Sequence, residues 1–492
     1  MFPEFSLRYS RLPERFYEPF RPVKVSSPRL LALNRELAQE LGFELSACSD
    51  QEAALLFSGN EVPAGAEPVA QAYAGHQFGN FVPRLGDGRA VLLGEVVDRA
   101  GRLRDIQLKG AGPTPFSRGG DGRAPLGPVL REYVVSEAMH VLGVPTTRSL
   151  AAVSTGEPVY RERVLPGGVL TRVAASHIRV GSFEYFAARG DIEGLRILAD
   201  YAIERHYPQL ADLPENERYL ALVAGVQARQ AALIAKWMGL GFIHGVMNTD
   251  NSSIAGETID YGPCAFMETY DPHTVFSSID RGGRYAYGNQ PAIAQWNMAR
   301  LAEALLPLID SEEQNAIDRA TRLIVRFPEQ YRAEWLAVMR AKLGLEREEE
   351  GDFELAESLL DAMHKGRADF TLTFRHLSDS AESGQADDAL LELFAQREGI
   401  LAWLPRWRAR LSAERGSMAD IAARMRRANP LYIPRNHLVE AMIRAAVEDD
   451  DFSEFNTLRD VLAQPFEHQP GRDAYALPAE PDERVLQTFC GT

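Results

Sequence analysis

The chain has 492 residues, of which 45% are hydrophobic and 25% charged, and its formal net charge is −16 at pH 7. This composition is typical of a globular protein with ample apolar material for a core, and the acidic balance argues against a nucleic-acid-binding surface. The net negative charge therefore predicts no nucleic-acid partner. The sequence has no run of about 18 apolar residues, so we expect no membrane partner.

Residues 1–70 are predicted to form an N-terminal extension with one or two helices. The string SSPRLLALNRELAQELGF predicts a helix capped by Ser26 and Ser27, because its apolar residues recur at helical spacing. The N-terminus has no apolar signal segment and contains several glutamates, so we expect a cytoplasmic protein.

Three short strands are predicted between residues 81 and 109. FVPRLGDGRAVLLGEVVD predicts two strands around a tight Gly-Asp-Gly turn, and RLRDIQLKG predicts a third, in which Ile106 and Leu108 alternate with polar residues. The short connections indicate an antiparallel meander.

A glycine-rich loop, a helix and two more strands follow the meander. LGPVLREYVVSEAMHVLGV predicts the helix, which Gly143 ends, and SLAAVSTG and GGVLTRVAA predict the strands. From about residue 190 the pattern is mainly helical, and the charged string EREEEGD at 346–352 marks a candidate boundary. This order of elements predicts an α+β fold.

Polar residues suited to metal binding are concentrated in HGVMNTDNSSIAGETIDYG. Asp250, Asn251 and Asp260 lie on short loops that flank a predicted hairpin. Mg²⁺ prefers hard oxygen ligands, usually one or two carboxylates together with substrate phosphates. Taken alone, the pattern is equally typical of solvated turns.

The same segment is similar to the catalytic and metal-binding loops of protein kinases. His244 and Asn251 fall at the His and Asn positions of the kinase catalytic loop, and Asp260 begins an Asp-Tyr-Gly in place of Asp-Phe-Gly. Val246 occupies the position of the kinase catalytic acid, so either catalysis is lost or a neighbour such as Asp250 acts in a different geometry.

Candidates for nucleotide contacts lie upstream. Lys109 ends a predicted strand, and the next helix offers Glu132 and Glu137 as ion-pair partners, which the pattern alone does not separate. Arg172 and Arg179 are further candidates, because an arginine guanidinium can bind two phosphate oxygens at once. The Gly-Asp-Gly turn at 86–88 occupies the place of a phosphate-covering loop, although its acid would be awkward near a phosphate.

Three strings together resemble the selenoprotein O family of protein adenylyltransferases. They are AYAGHQFGNF at 72–81, QLKGAGPTPFSRGGDGRAPLGPVLREYVVSEAMHVLGVPTTR, and HGVMNTDNSSIAGETIDYGP. The resemblance implies a kinase-like fold in which ATP binds in reversed orientation and AMP passes to a Ser, Thr or Tyr hydroxyl of a protein substrate. Pyrophosphate leaves, and UTP is a possible second donor with Mn²⁺.

The resemblance also implies roles for individual residues. Asp250 would be the general base, Asn251 and Asp260 would bind Mg²⁺ or Mn²⁺, and Glu132 would support the strand lysine. The nucleotide would be contacted by Asp260 and by Gly86, Gly88, Arg89, Lys109, Asp121, Gly122, Arg172 and Arg179. Family members carry a Cys or selenocysteine near the C-terminus, so Cys490 and Cys264 are predicted as a redox-controlled pair.

These observations predict a protein-kinase-like two-lobed fold, with a small antiparallel sheet lobe and a helical lobe. The expected parts are an N-terminal extension (1–70), an N-lobe (71–190), a C-lobe (191–345) and a helical C-terminal region (346–492). Two other functions stay open: a phosphotransferase acting on proteins or small molecules, and a non-catalytic pseudokinase scaffold. Val246 argues against the first, and the retained Asp250, Asn251 and Asp260 argue against the second.

Overall fold

The computed structural model describes residues 3–45, 48–383 and 387–489. The strands are β1 (Phe5–Ser6), β2 (Tyr17–Pro19), β3 (Arg29–Leu33), β4 (Val69–Gln71), β5 (Gly75–Gln77), β6 (Asn80–Val82), β7 (Ala90–Val97), β8 (Leu103–Lys109), β9 (Ala124–Pro125), β10 (Arg148–Tyr160), β11 (Val164–Ala174), β12 (Phe242–Ile243) and β13 (Ala265–Phe266).

The helices fall mainly in the second half of the chain. They are α1 (Arg35–Glu40), α2 (Asp50–Phe57), α3 (Leu126–Val141), α4 (Val180–Ala187), α5 (Ile192–His206), α6 (Glu215–Leu240), α7 (Gln290–Ile309), α8 (Glu313–Ile324), α9 (Phe327–Leu343), α10 (Asp352–Gly366), α11 (Phe370–Glu382), α12 (Asp387–Glu392), α13 (Glu398–Leu411), α14 (Met418–Ala428), α15 (Asn436–Glu448) and α16 (Ser453–Leu462).

A twisted antiparallel sheet forms one part of the molecule. Its main path runs β2-β4-β7-β8-β11-β10-β3, with β1 paired to β7 and β9 paired to β11. The protein is therefore α+β, with a sheet lobe and a helical region, which confirms the predicted fold class at this level. None of the helices in the described part of the chain is long and apolar enough to span a membrane.

Both faces of the sheet are covered. Because successive strand residues point to opposite faces, Ala151 and Val153 of β10 pack in a core with α1 and α2, whereas Ala152 packs in another core with α3. Helices α15 and α16 pack on the outer side of α3, for example through Met442 and Phe455. Thus α3 is held between the sheet and the C-terminal helices.

The N-terminal prediction needs correction. Instead of one helix capped by Ser26 and Ser27, residues 29–33 form β3, and Asn34 caps the short helix α1. The apolar residues of β3 pair with β10, so non-local pairing overrides the local helical pattern. With β1 and β2, the described residues of the segment 1–70 contribute three complete strands to the sheet and the first two residues of β4.

The predicted three-stranded meander is also wrong in its first strand. Strands β7 and β8 pair as expected, but residues 80–82 form β6, which pairs with β5 in a separate hairpin. The glycine turn at 86–88 therefore links this hairpin to the sheet.

Helices α4 to α14 share one core, whereas α15 and α16 pack with α3. Leu343 of α9 and Leu355 of α10, on either side of the charged string 346–352, belong to the same cluster of buried side chains. That string is thus a loop between packed helices. The four-part division of the chain stays a prediction.

Candidate nucleotide and metal site

A buried lysine–glutamate pair joins the sheet to α3. Lys109 Nζ, at the end of β8, lies 2.6 Å from Glu132 Oε2, and the Glu132 side chain is only 2% exposed. Glu137 points elsewhere and bonds Arg148, with Nε–Oε1 2.9 Å. The packing of α3 thus turns Glu132, and not Glu137, toward Lys109.

Two arginines extend this pair to the Asp-Tyr-Gly segment. Arg172 of β11 lies 2.5 Å from Glu132 Oε1 and 2.5 Å from Asp260 Oδ1. Arg179, just before α4, lies 3.4 Å from Asp260 Oδ2, and Lys109 Nζ lies 3.6 Å from Oδ1. Three cations therefore surround one carboxylate.

The charges of this cluster stabilise one another. Burial alone would raise the pKa of Asp260, but Arg172, Lys109 and Arg179 hold that pKa well below its usual range. Burial and the positive charges of Arg172 and Arg89 lower the pKa of Lys109, against the opposing effect of the nearby acids. Asp260 is thus ionised, and Arg89 lies within electrostatic reach of Lys109.

Asp260 also has a strained backbone. Its φ of +64° is in the left-handed region, which non-glycine residues seldom adopt. Strained positions of this kind are common at functional sites, because the surrounding contacts must hold them. Here the ion pairs with Arg172 and Arg179 hold the side chain.

The acid of the glycine turn points into the protein. Asp87 is buried, accepts bonds from Gln71 N (3.1 Å) and Gln107 Nε2 (3.2 Å), and pairs with Arg179 (3.3 Å). Its carboxyl therefore points into the sheet lobe and away from the surface of the turn. The acid at position 87 is then no obstacle to a phosphate beside this turn.

The turn itself is tightly packed. Gly86 has φ +68°, and a Cβ there would lie 2.2 Å from the Phe116 ring. A Cβ on Gly88 would lie 3.1 Å from the Phe116 carbonyl oxygen. The close approach of the loop that follows β8 thus requires a glycine at position 86 and leaves little room for a side chain at position 88.

Asp121 and Gly122 belong to that loop but make other contacts. Asp121 is exposed and pairs with Arg161, with Nη1–Oδ2 2.8 Å. Gly122 has φ +62° and packs directly against Gly112. Neither residue contacts the Lys109–Asp260 cluster in an assigned bond, so their nucleotide role stays a prediction.

The predicted hairpin around residues 252–259 is not formed. Its residues bridge other segments instead, Ser253 to Arg179 and Thr258 to Thr146. Strands β12 and β13 pair at the base, so the whole stretch 244–264 is one loop that carries both Asp250 and Asp260.

Asp250 lies in a 3₁₀ turn, Thr249–Asn251, and is buried. Gln77 Nε2 donates to its Oδ2 at 3.2 Å, whereas Oδ1 has no hydrogen-bond partner among the described residues. Burial raises the pKa of Asp250 to about 7, and the charge of Asp260 adds to this effect. A carboxyl with a pKa near neutrality is suited to accept a proton at physiological pH.

The neighbouring positions fit this arrangement. Asn251 Nδ2 donates to the Val246 carbonyl oxygen at 3.0 Å, which leaves the amide oxygen of Asn251 as a possible metal ligand. Val246 is itself buried, and His244 bonds the Ile259 carbonyl oxygen through Nε2 at 2.8 Å. His244 therefore ties together the two ends of the loop.

Several contacts of the site were missed by sequence reasoning. Gln77 bonds Asp250, and the His76 backbone bonds Thr249. The centre of the Tyr73 ring lies 4.4 Å from the Arg179 guanidinium carbon. Gln77, His76 and Tyr73 belong to AYAGHQFGNF, so the string carried a signal, but nothing in its pattern indicated individual roles.

Cys264 is buried four residues after Asp260. Cys490 lies outside the described residues, so the predicted redox pair stays a prediction.

A carboxylate ringed by buried cations, beside a carboxyl that titrates near neutrality, is the kind of site that nucleotide-dependent group-transfer enzymes use. The family model described as "Protein adenylyltransferase SelO" matches residues 2–463 of this chain.

The curated relatives agree with this match. A "Protein nucleotidyltransferase YdiU" from Rhizobium meliloti (strain 1021) is 60% identical over 488 residues, covering 99% of both chains. Proteins of the same description from Bradyrhizobium diazoefficiens and from Bradyrhizobium sp. (strain BTAi1) are 60% and 61% identical, again over 99% of each chain. The chain belongs to the SelO family of protein adenylyltransferases, and it is a nucleotidyltransferase.

Proposed function

We propose that the protein transfers AMP from ATP to Ser, Thr or Tyr hydroxyls of protein substrates and releases pyrophosphate. The observation that carries this proposal is the pairing of a buried carboxyl of near-neutral pKa, Asp250, with an ionised carboxylate, Asp260, that three cations hold. The sheet lobe and helical region are compatible with the kinase-like fold that we propose for the chain. A cytoplasmic location stays a prediction of the sequence.

The nucleotide is proposed to bind between the glycine turn and the cation cluster, reversed relative to kinases. Lys109 and Arg172 are anchored by Glu132, and Arg179 by Asp87, so their positive charges are fixed before a nucleotide arrives. Preorganised charges cost little reorganisation when phosphate charge shifts during transfer. The proposed contacts are Gly86, Gly88, Arg89, Lys109, Asp121, Gly122, Arg172, Arg179 and Asp260.

Asn251 and Asp260 are the proposed ligands for Mg²⁺ or Mn²⁺. The described residues contain no group of three or more His, Cys, Asp or Glu side chains that could hold a metal alone. One carboxylate and one amide oxygen fit a metal that also takes phosphate oxygens. When bound, the metal would neutralise charge on the phosphates.

The proposed reaction is a displacement at the α-phosphorus. Asp250 takes the proton of the acceptor hydroxyl, and the hydroxyl oxygen forms a bond to the α-phosphorus. The bond from that phosphorus to the bridging oxygen of the β-phosphate breaks, and pyrophosphate leaves with its electron pair. The positive charges of Lys109, Arg172 and Arg179 offset the negative charge of the phosphates.

The structure does not fit the two alternative functions, a phosphotransferase and a non-catalytic scaffold, as well. A phosphotransferase of the kinase type would need an acid at position 246, where the buried Val246 can accept no proton. A scaffold would have no need of a buried acid such as Asp250, whose Oδ1 has no hydrogen-bond partner in the described part of the chain, because burying an acid costs stability.

Mass spectrometry of modified peptides tests the proposal. We would incubate the protein with degenerate peptides carrying Ser, Thr or Tyr, with ATP or UTP, and with Mg²⁺ or Mn²⁺. The expected product is AMP attached to a hydroxyl. Attachment of UMP from UTP would show that UTP is a second nucleotide donor. Phosphate on the hydroxyl, or no modification with either donor, contradicts the proposal.

A further inference from the structure

The hairpin formed by β5 and β6, residues 75–82, lies against the turn that carries Asp250. The backbone N–H of His76 donates to Thr249 Oγ1 at 2.7 Å, and the Thr249 hydroxyl donates to Glu184 Oε2 at 2.5 Å. His76 Nδ1 lies 2.5 Å from the other oxygen of Glu184, a buried residue of α4. One carboxylate thus anchors both the hairpin and the turn.

The tip of the hairpin is fixed in the same way. The Phe78 N–H donates to Asn248 Oδ1 at 3.0 Å, and the Tyr285 hydroxyl donates to the same oxygen at 2.7 Å. Phe78 has φ +51°, a left-handed conformation that costs free energy in a non-glycine residue. Its ring packs on Tyr285, with centroids 5.0 Å apart. The hairpin is therefore a rigid support for the turn.

Between these anchors the hairpin touches the Asp250 carboxyl directly. Gly75 lies so close that a Cβ there would be 2.6 Å from Oδ1. Gln77 Nε2 donates to Oδ2 at 3.2 Å, and it is the one side chain that donates to this carboxyl among the residues that the structure describes. Backbone packing limits where the carboxyl can go, and the Gln77 amide fixes its rotation.

We propose that Gln77 is a positioning residue for nucleotidyl transfer. Its amide holds Oδ2 while Oδ1, a buried atom without a hydrogen-bond partner among the described residues, packs against Gly75, so the Gln77 contact sets the orientation of the carboxyl that takes the proton of the acceptor hydroxyl. The inference rests on the proposed base role of Asp250. Misplacing a reacting group by about 1 Å can lower a rate about a hundredfold, so one amide contact can matter greatly.

Gln77→Met is the informative variant, because methionine fills a similar volume but donates no hydrogen bond. We expect the single-turnover rate of AMP transfer to the degenerate peptides to fall roughly tenfold to a hundredfold. The Kd for ATP should stay unchanged, because the Gln77 side chain makes its hydrogen bond to Asp250 and none to Lys109, Arg172 or Arg179 among the described residues. Gln77→Glu, which keeps the shape but places a second carboxyl beside Asp250 in place of the amide donor, should also lower the rate.

Asn80→Ala is the matched control, since Asn80 is an exposed residue of the same hairpin. It should transfer AMP at the wild-type rate. Melting temperatures of all variants identify any that fail to fold. Wild-type transfer by folded Gln77→Met, or an equal loss in Asn80→Ala, overturns the inference.

Asp250→Asn in the same assay separates the two levels of the argument. If Asp250→Asn transfers AMP at the wild-type rate, the base role fails, and the inference fails with it. If Asp250→Asn is inactive while Gln77→Met and Gln77→Glu transfer normally, only the positioning role of Gln77 is refuted.

Discussion

Replacing Glu132 by glutamine should separate the electrostatic role of this acid from its place in the fold. Glu132 lies between two buried cations, at 2.6 Å from Lys109 and 2.5 Å from Arg172. A glutamine keeps the shape, but its amide oxygen can serve only one of the cations, and its NH₂ group would face the other donor.

The expected loss of stability follows from these contacts. Removing one partner of a buried ion pair costs about 3–5 kcal/mol. Asp260 also contacts Lys109 and Arg172 and compensates partly, so we expect the lower end, about 3 kcal/mol. Because the two cations lose their anchor, AMP transfer should fall about a hundredfold.

Glu137→Gln provides the control on the same helix. Glu137 bonds Arg148 and the Ser149 N–H, and it makes no assigned contact to the cluster at Asp260. This variant should also melt at a lower temperature, yet transfer AMP normally. Thermal melts and label transfer from ATP carrying a labelled α-phosphate measure both effects. Normal transfer by folded Glu132→Gln, or equal inactivity of Glu137→Gln, would refute the reasoning.

Three further predictions concern other parts of the molecule. Asp260→Asn should fold, because asparagine tolerates a left-handed backbone, but should lose AMP transfer; normal transfer would remove Asp260 from the site. Gly75→Ala should slow transfer by pushing on Asp250, with little change in ATP affinity, and an unchanged rate would contradict the close approach. Burial lowers the pKa of Lys342 to about 7, below its value of about 10.4 in an unfolded chain, so stability should rise between these pH values. Lys342→Met should therefore raise the melting temperature at pH 7 and raise it less at pH 9, whereas a gain independent of pH would argue against a buried lysine.

The local pattern predicted some of the elements that carry the site, namely β8, α3, β10 and β11. Helix α3 ends before Gly143, which has φ +79°, and β10 and β11 form where SLAAVSTG and GGVLTRVAA predicted strands. Lys109 ends its strand as expected. These features depend on short-range preferences, which are readable from a single sequence.

Features that depend on long-range packing could not be predicted in this way. Glu132 and Glu137 lie on different sides of one helix, and only the docking of α3 on the sheet decides which meets Lys109. The inward direction of Asp87 depends on Gln107 and Arg179, which come from distant parts of the chain. The hairpin at 75–82 reaches the Asp250 turn across more than 160 residues, a contact that no local pattern records.

The most direct test of the central claim compares two labels on the same donor. Wild-type protein would be incubated with the degenerate peptides and with ATP labelled on either the α- or the γ-phosphate. We predict that label from the α-phosphate alone becomes attached to peptide hydroxyls, while γ-label is released in pyrophosphate. Attachment of the γ-label would contradict the account, since it would mean that the cluster around Asp260 transfers phosphate and not AMP.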